Sequence, residues 1–198
     1  MTQSARPSAP PPTGEMFDEL LVVLVQQGDK RALERLHSRW NGRLARAALR
    51  YTGDSEIARD LVQDCWVGIL KGIARLRNPA RFRSYAFAVL HRRGADYMRG
   101  AINHRAMTRP IAQGDEQNHT ADATQDETIA IRQAFANLPP DQRLAAHLHF
   151  VEGLTLREIA EVQDIAEGTA KSRLFHARRK LKAALSDRTT EPTEGELV

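Results

Sequence analysis

Apolar residues in this chain recur at the helical steps of three and four, and then for about 27 residues in mid-sequence, "AINHRAMTRPIAQGDEQNHTADATQDE", they stop recurring. That break divides the chain into two helical blocks, residues 17–100 and 128–185, joined by a polar linker over residues 101–127. As a flexible coil, about 27 residues span roughly 30 Å on average, enough for two small units to grip separated places on one partner. No strand-length run alternates at period two with β-branched enrichment, so the expected fold class is all-α, with two small helical domains. At 198 residues the chain can bury one ordinary core or two small ones. The ends, residues 1–16 with their "TQSARPSAPPPTG" and residues 186–198, carry no apolar period and are expected to be tails.

Within the first block, Gly28-Asp29, Gly53-Asp54 and Asn78-Pro79 punctuate strongly helical sequence, which predicts three or four helices. The second block is more specific. Ile131, Ala134, Phe135 and Leu138 make one amphipathic stripe, ended by Pro139-Pro140. A helix then runs through Leu144 and Leu148 to Gly153. "TLRE", Thr155 to Glu158, matches a capping box and opens a short helix at Leu156, which "VQDIAEG" interrupts before a longer helix begins at Glu167. Short helix, tight turn and longer helix are the helix-turn-helix arrangement, so the C-terminal domain is expected to be one. In the last helix Ala170, Leu174, Ala177, Leu181 and Ala184 form the buried stripe, and Lys171, Arg173, Arg178, Arg179, Lys180 and Lys182 fall mostly off it. Glu167, Thr169, Ser172 and Arg173 at its N-terminal end suit base edges and phosphates in a major groove. A basic C-terminal half also complements the helix dipole, so a solvated basic face is the plainer alternative.

Net charge is only +4 while the isoelectric point is about 9.6, so where the cations cluster matters more than their excess. The single cysteine, Cys65, excludes an internal disulfide and sits in apolar context beside Trp66, which makes it a packing residue. The longest apolar run, Leu20 to Val25, is far short of the roughly 20 residues of a membrane span, and no secretory signal pattern precedes it. A cytoplasmic protein without membrane insertion is therefore expected. His147 and His149 point to different helix faces, Asp60 and Asp64 lack a third ligand at helical spacing, and no nucleotide-binding glycine loop occurs. These features predict no enzyme, no metal, no cofactor and no small-molecule substrate.

The residues "LPPDQRLAAHLHFVEGLTLREIAEVQDIAEGTAKSRLFHARRKLKAAL" resemble the promoter-reading C-terminal domain of bacterial sigma factors of the sigma-70 family, extracytoplasmic-function (ECF) class. Leu138-Pro139, Glu152-Gly153, Glu158-Ile159-Ala160, Gly168-Thr169, Lys171 to Leu174 and Ala177-Arg178 follow that family's pattern. Ala170 stands where valine is usual and His176 where arginine is common. The resemblance implies recognition of the minus-35 promoter element by Glu167, Thr169, Lys171, Ser172, Arg173, Phe175, His176, Arg178 and Arg179.

In the first block, "ARDLVQDCWVGIL" is similar to the family's polymerase-docking helix, with Asp60, Gln63, Asp64 and Trp66 at the matching places. Helical spacing independently puts Asp60, Gln63 and Asp64 on one acidic face, with Leu61, Val62, Cys65, Ile69 and Leu70 as packing surface; a merely solvated face is the alternative. Downstream, "RLRNPARFRSYAFAVLHRRGADYMRG" mixes arginines with aromatics, a pairing that can neutralise phosphate and hold unstacked bases, although Phe82, Phe87 and Tyr97 could equally be core. The resemblance places minus-10 recognition and melting here, on Arg77, Asn78, Arg81, Phe82, Arg83, Tyr85, Arg92, Arg93, Asp96 and Arg99. Tyr85 stands where tryptophan is common and Arg93 where asparagine is. The implied function is a sigma factor that directs core RNA polymerase to promoter DNA, held in check by an anti-sigma factor. A stand-alone helix-turn-helix regulator and an interaction adaptor that does not touch DNA are the rival readings.

Overall fold

The computed structural model describes residues 13–107 and 133–186, and every regular element among them is helical. The first block forms α1 (Thr13–Gln26), α2 (Lys30–Thr52), α3 (Ser55–Ile73), a 3-10 turn (Pro79–Arg81) and α4 (Phe82–Met107). The breaks fall where the punctuation predicts them. Asp29 and Asp54 accept backbone N–H groups at the starts of α2 and α3, Gly53 takes the left-handed φ of 78° that ends α2, and Asn78 caps the 3-10 turn. One boundary differs. α4 continues to Met107, past the expected end at residue 100, because "AINHRAM" contains no proline or glycine to stop it. Residues 108–127 of the expected linker, like residues 1–12 and 187–198, lie outside the described residues.

Trp40 sits at the centre of the first block, with the Phe82 ring edge-on at 5.1 Å and Phe87 tilted at 5.8 Å. Around it pack the inner stripes of α2 (Leu36, Leu44, Ala47, Ala48) and α3 (Leu61, Val62, Cys65, Ile69). α3 and α4 cross closely because α3 offers glycine at the contact: a Cβ at Gly68 would come within 2.7 Å of Val89, and one at Gly72 would overlap the Tyr85 hydroxyl.

The second block forms α5 (Pro140–Phe150), α6 (Leu156–Gln163) and α7 (Glu167–Ser186) after a helical segment of which 133–136 is described; Ile131 lies outside the described residues. The capping box is complete: the Glu158 N–H donates to the Thr155 hydroxyl at 3.2 Å, and the Thr155 N–H donates back to the Glu158 carboxylate at 2.8 Å. Asp164, with φ 52° and ψ 53°, ends α6 and makes the turn into α7. Phe135, Leu138, Ala146 and Ala177 close a small satellite core, with Leu181 against it.

The two blocks also pack on each other. Leu144, Leu148, Leu154 and Ile159 belong to the same continuous cluster as Trp40 and Phe82, with α5 against α2 and α6 against α4. Polar contacts line the seam. Arg43 pairs with the buried Glu152 at 2.6 Å, the Arg50 guanidinium lies 4.9 Å over the Phe135 ring, and Asp141 meets the Tyr51 hydroxyl at 3.4 Å and His91 at 3.3 Å. Among the described residues, no helix is long and apolar enough to cross a membrane.

Candidate nucleic-acid interface

α7 presents its polar face outward because Ala170, Leu174 and Ala177 turn the opposite face into the core. Glu167, Thr169, Lys171, Ser172, Arg178 and Arg179 are all exposed, and His176 is half-buried. Phe175 projects furthest, at 63% exposure, with its ring edge-on to His176 at 5.6 Å. Arg173 is placed differently. Its guanidinium pairs with Asp141 at 2.8 Å and donates to the Gln163 amide oxygen at 2.9 Å, with 22% of the side chain exposed. Gln163, itself buried, donates to the Asp141 carbonyl at 2.9 Å. Arg173 thus ties α7 to α5 and α6, and the open contact face is carried by its neighbours. The Asp141 carboxyl is held below the usual carboxylate range, first by the His91 contact and then, against burial, by Arg173.

On α3, Asp60, Gln63 and Asp64 share one exposed face, as their spacing predicts. Trp66 faces inward: it is 7% exposed, its indole N–H donates to Asn41 at 3.1 Å, and its ring sits 4.6 Å from His37. It props the face up instead of presenting itself. Two apolar residues that charge patterning overlooks complete the surface. Val67 and Leu70 are 47% and 45% exposed, so Leu70, expected to pack inward, lies outside. The strip Asp60, Asp64, Val67, Lys71 follows steps of four and three, so the signal was in the periodicity. Cys65 is buried, and burial pushes its thiol up to about 12, which leaves it no nucleophilic role.

The arginine-rich surface of the 3-10 turn and α4 is divided. Arg77, Asn78, Arg92, Arg93 and Asp96 are exposed, and Arg99 pairs with Asp96 on the same helix. Phe82, at 1% exposure, is core against Trp40 and does not reach a base; Phe87 is buried too, whereas Tyr97 is 45% exposed. Tyr85 is half-buried over the α3 glycines, its hydroxyl 3.3 Å from the Ile69 carbonyl, and burial raises its phenol above the ordinary value. Arg81 and Arg83 carry acids from the second block. Arg81 pairs with Glu161 at 2.6 Å, and Arg83 pairs with Glu15 at 2.7 Å and Glu158 at 3.0 Å. No spacing rule could have matched arginines near residue 82 with glutamates almost 80 residues on.

With these surfaces in view, comparison with known proteins is informative. Residues 36–102 match the family described as sigma-70 region 2, and residues 128–181 match sigma-70, region 4. The ECF RNA polymerase sigma factor SigM of Mycobacterium tuberculosis is 31% identical over 189 residues, covering 89% of this chain and 94% of the relative. The ECF RNA polymerase sigma-E factor of Haemophilus influenzae is 28% identical over 181 residues, 85% of this chain and 95% of the relative. Among solved structures, the sigma factor RpoE in complex with the anti-sigma factor NepR from Bartonella quintana superposes with a TM-score of 0.70 at 21% identity, over 78% of this chain and 96% of that one. CnrH in complex with the cytosolic domain of CnrY gives 0.62 at 23% identity, over 86% and 98%. A helical unit with an open acidic face, followed by a helix-turn-helix with an open basic helix, is the plan of a promoter-recognition factor. The chain belongs to the extracytoplasmic-function class of the sigma-70 family of RNA polymerase sigma factors.

Proposed function

We propose that the division of labour in this sigma factor follows its three surfaces. The acidic and apolar strip of α3, with Asp60, Gln63, Asp64, Val67 and Leu70, docks on core RNA polymerase. Trp66 keeps that strip rigid. The α7 face contacts the minus-35 element through Thr169, Lys171, Ser172, Phe175, His176, Arg178 and Arg179, with Glu167 at the helix entrance. Cationic side chains there neutralise phosphates, and the short polar ones and Phe175 reach base edges. The exposed cations around the 3-10 turn and along α4, Arg77, Arg92, Arg93 and Arg99, serve the minus-10 region together with Arg81 and Arg83 once these are released. Chemistry belongs to the polymerase, so the factor acts without a catalytic residue, a metal or a small-molecule substrate of its own, and the site of action is the cytoplasm. An anti-sigma protein is the expected regulatory partner, since the RpoE and CnrH structures hold such partners.

One observation carries this reading: a single chain exposes an acidic strip on α3 and, on α7, a basic strip around Phe175, each freed by the same core. The test is run-off transcription with core polymerase on a promoter library, with transcription starts mapped. Start sites specific to the added factor are expected, and charge reversal of Asp60 and Asp64 to lysine should abolish polymerase association. Tight, specific DNA binding by the lone chain, with no effect on polymerase, would instead make it a stand-alone regulator.

A further inference from the structure

The second block lays the acids of α6 on the basic surface of the first block. Glu161 takes Arg81 at 2.6 Å, Glu158 takes Arg83 at 3.0 Å, and the Glu152 carbonyl lies 3.4 Å from the other Arg83 nitrogen. The Glu152 carboxylate meanwhile takes Arg43 at 2.6 Å. These contacts rest on apolar packing, because Ile159, Ala160 and Val162 on the inner face of α6 join the cluster that holds Phe82 and Phe87. A carboxylate meets a guanidinium fork with the same geometry as a phosphate, so a glutamate on Arg81 or Arg83 excludes a DNA phosphate from that site. The cover is selective. Asp60, Gln63 and Asp64 on α3 and Lys171, Phe175 and Arg178 on α7 stay exposed in the same conformation.

We propose that α6 is an intrachain plug: Glu158 and Glu161 occupy Arg81 and Arg83 as phosphate mimics, and strand-opened promoter DNA must displace them before the minus-10 surface can act. This rests on the sigma-factor reading above and adds an order of events to it. Polymerase can dock on α3 and α7 can meet duplex DNA while the plug is in, but strand capture has to wait for the two blocks to part. The free factor would thereby hold single-stranded DNA weakly, with no second protein required.

The test uses the full chain with Glu158→Gln and Glu161→Gln together. Glutamine keeps side-chain length and also completes a capping box, so α6 retains its start. A matched control, Glu34→Gln with Glu56→Gln, removes the same charge from exposed positions on α2 and α3. Two readouts apply: affinity for a fluorescent 20-nucleotide single-stranded DNA of random sequence, and energy transfer between dyes on Arg35→Cys in α2 and Lys180→Cys in α7. Exposed ion pairs contribute about 0.2–1 kcal/mol each, so the plug variant should bind the oligonucleotide about threefold to tenfold more tightly than the control pair. Energy transfer should fall in the plug variant and, in the wild type, on adding the oligonucleotide. Equal affinity in both pairs with unchanged energy transfer overturns the plug. Run-off transcription by the wild type is scored separately: activity there alongside a failed plug removes only the plug, and inactivity removes the sigma-factor reading on which it stands.

Discussion

Two arginine-rich surfaces on this molecule have similar composition and opposite states. On α7, Lys171, Arg178 and Arg179 face solvent; at the start of α4, Arg81 and Arg83 are held by Glu161, Glu158 and Glu15. Phenylalanine follows the same split, with Phe175 63% exposed on α7 and Phe82 1% exposed on α4. Local sequence cannot produce this difference. α7 ends a three-helix unit and has nothing packed on its outer side, whereas the start of α4 lies under α6, which a separate stretch of chain delivers. A cation's availability is therefore a property of which element covers it.

The largest expected effect contrasts the two phenylalanines. Phe82→Ala empties a buried site beside Trp40 and should cost about 3–5 kcal/mol in urea denaturation. Phe175→Ala should change stability by less than about 0.5 kcal/mol while weakening minus-35 binding of the holoenzyme. A large stability loss in Phe175→Ala would erase the contrast.

Next is the close crossing under Tyr85. Gly72→Ala drives a methyl into the phenol hydroxyl, so a loss of about 1–3 kcal/mol is expected by thermal unfolding. Adding Tyr85→Phe, which removes the hydroxyl, should recover part of it; no recovery would mean that the strain lies elsewhere on α3.

Arg173 and Lys171 separate framework from contact within α7. Arg173→Ala leaves Asp141 and Gln163 without their partner and should cost about 1–3 kcal/mol of stability. Lys171→Ala should leave stability unchanged and lower the salt dependence of promoter binding by about one phosphate contact. If Arg173→Ala changes only discrimination among minus-35 sequences, the arginine reads bases after all.

The smallest effect is acid weakening of the seam. Burial would push the Glu152 carboxyl up, but His147 and Arg43 outweigh it and hold it low; in Glu158, Thr155 and Arg83 likewise outweigh burial, and Asp141 is also low. Carboxyls whose values fall on folding contribute stability above their ordinary values of 3.8 for Asp and 4.5 for Glu, and that stability is lost as pH drops through the lower folded values. Dye separation between α2 and α7 should thus rise below about pH 4, well before helix content is lost; a seam unchanged at that pH would show that apolar packing alone holds the blocks together.

Much of this was legible from residues alone. Asp29, Asp54, Asn78 and the Thr155–Glu158 box mark helix starts through hydrogen bonds that span three residues or fewer, so pattern and structure agree there. The acidic strip on α3 and the outward face of α7 were equally readable, because one helix's period decides which residues share a side. Trp66, Phe82 and Arg173 were not. Each sits among polar or charged neighbours that suggest a surface, and each is turned inward by a partner from another element: Asn41 and His37, Trp40, and Asp141 with Gln163.

By itself, then, the amino-acid order determined an all-helical chain, the starts and stops of its helices, the sides on which charge gathers and the sigma-factor family. Tertiary structure alone decided which of those charges meet solvent. Helix periodicity and capping act over a few residues, where sequence distance and spatial distance coincide. Pairing Arg81 with Glu161, or Arg43 with Glu152, depends on how two blocks dock, and that is settled by the apolar faces of α5 and α6 against α2 and α4.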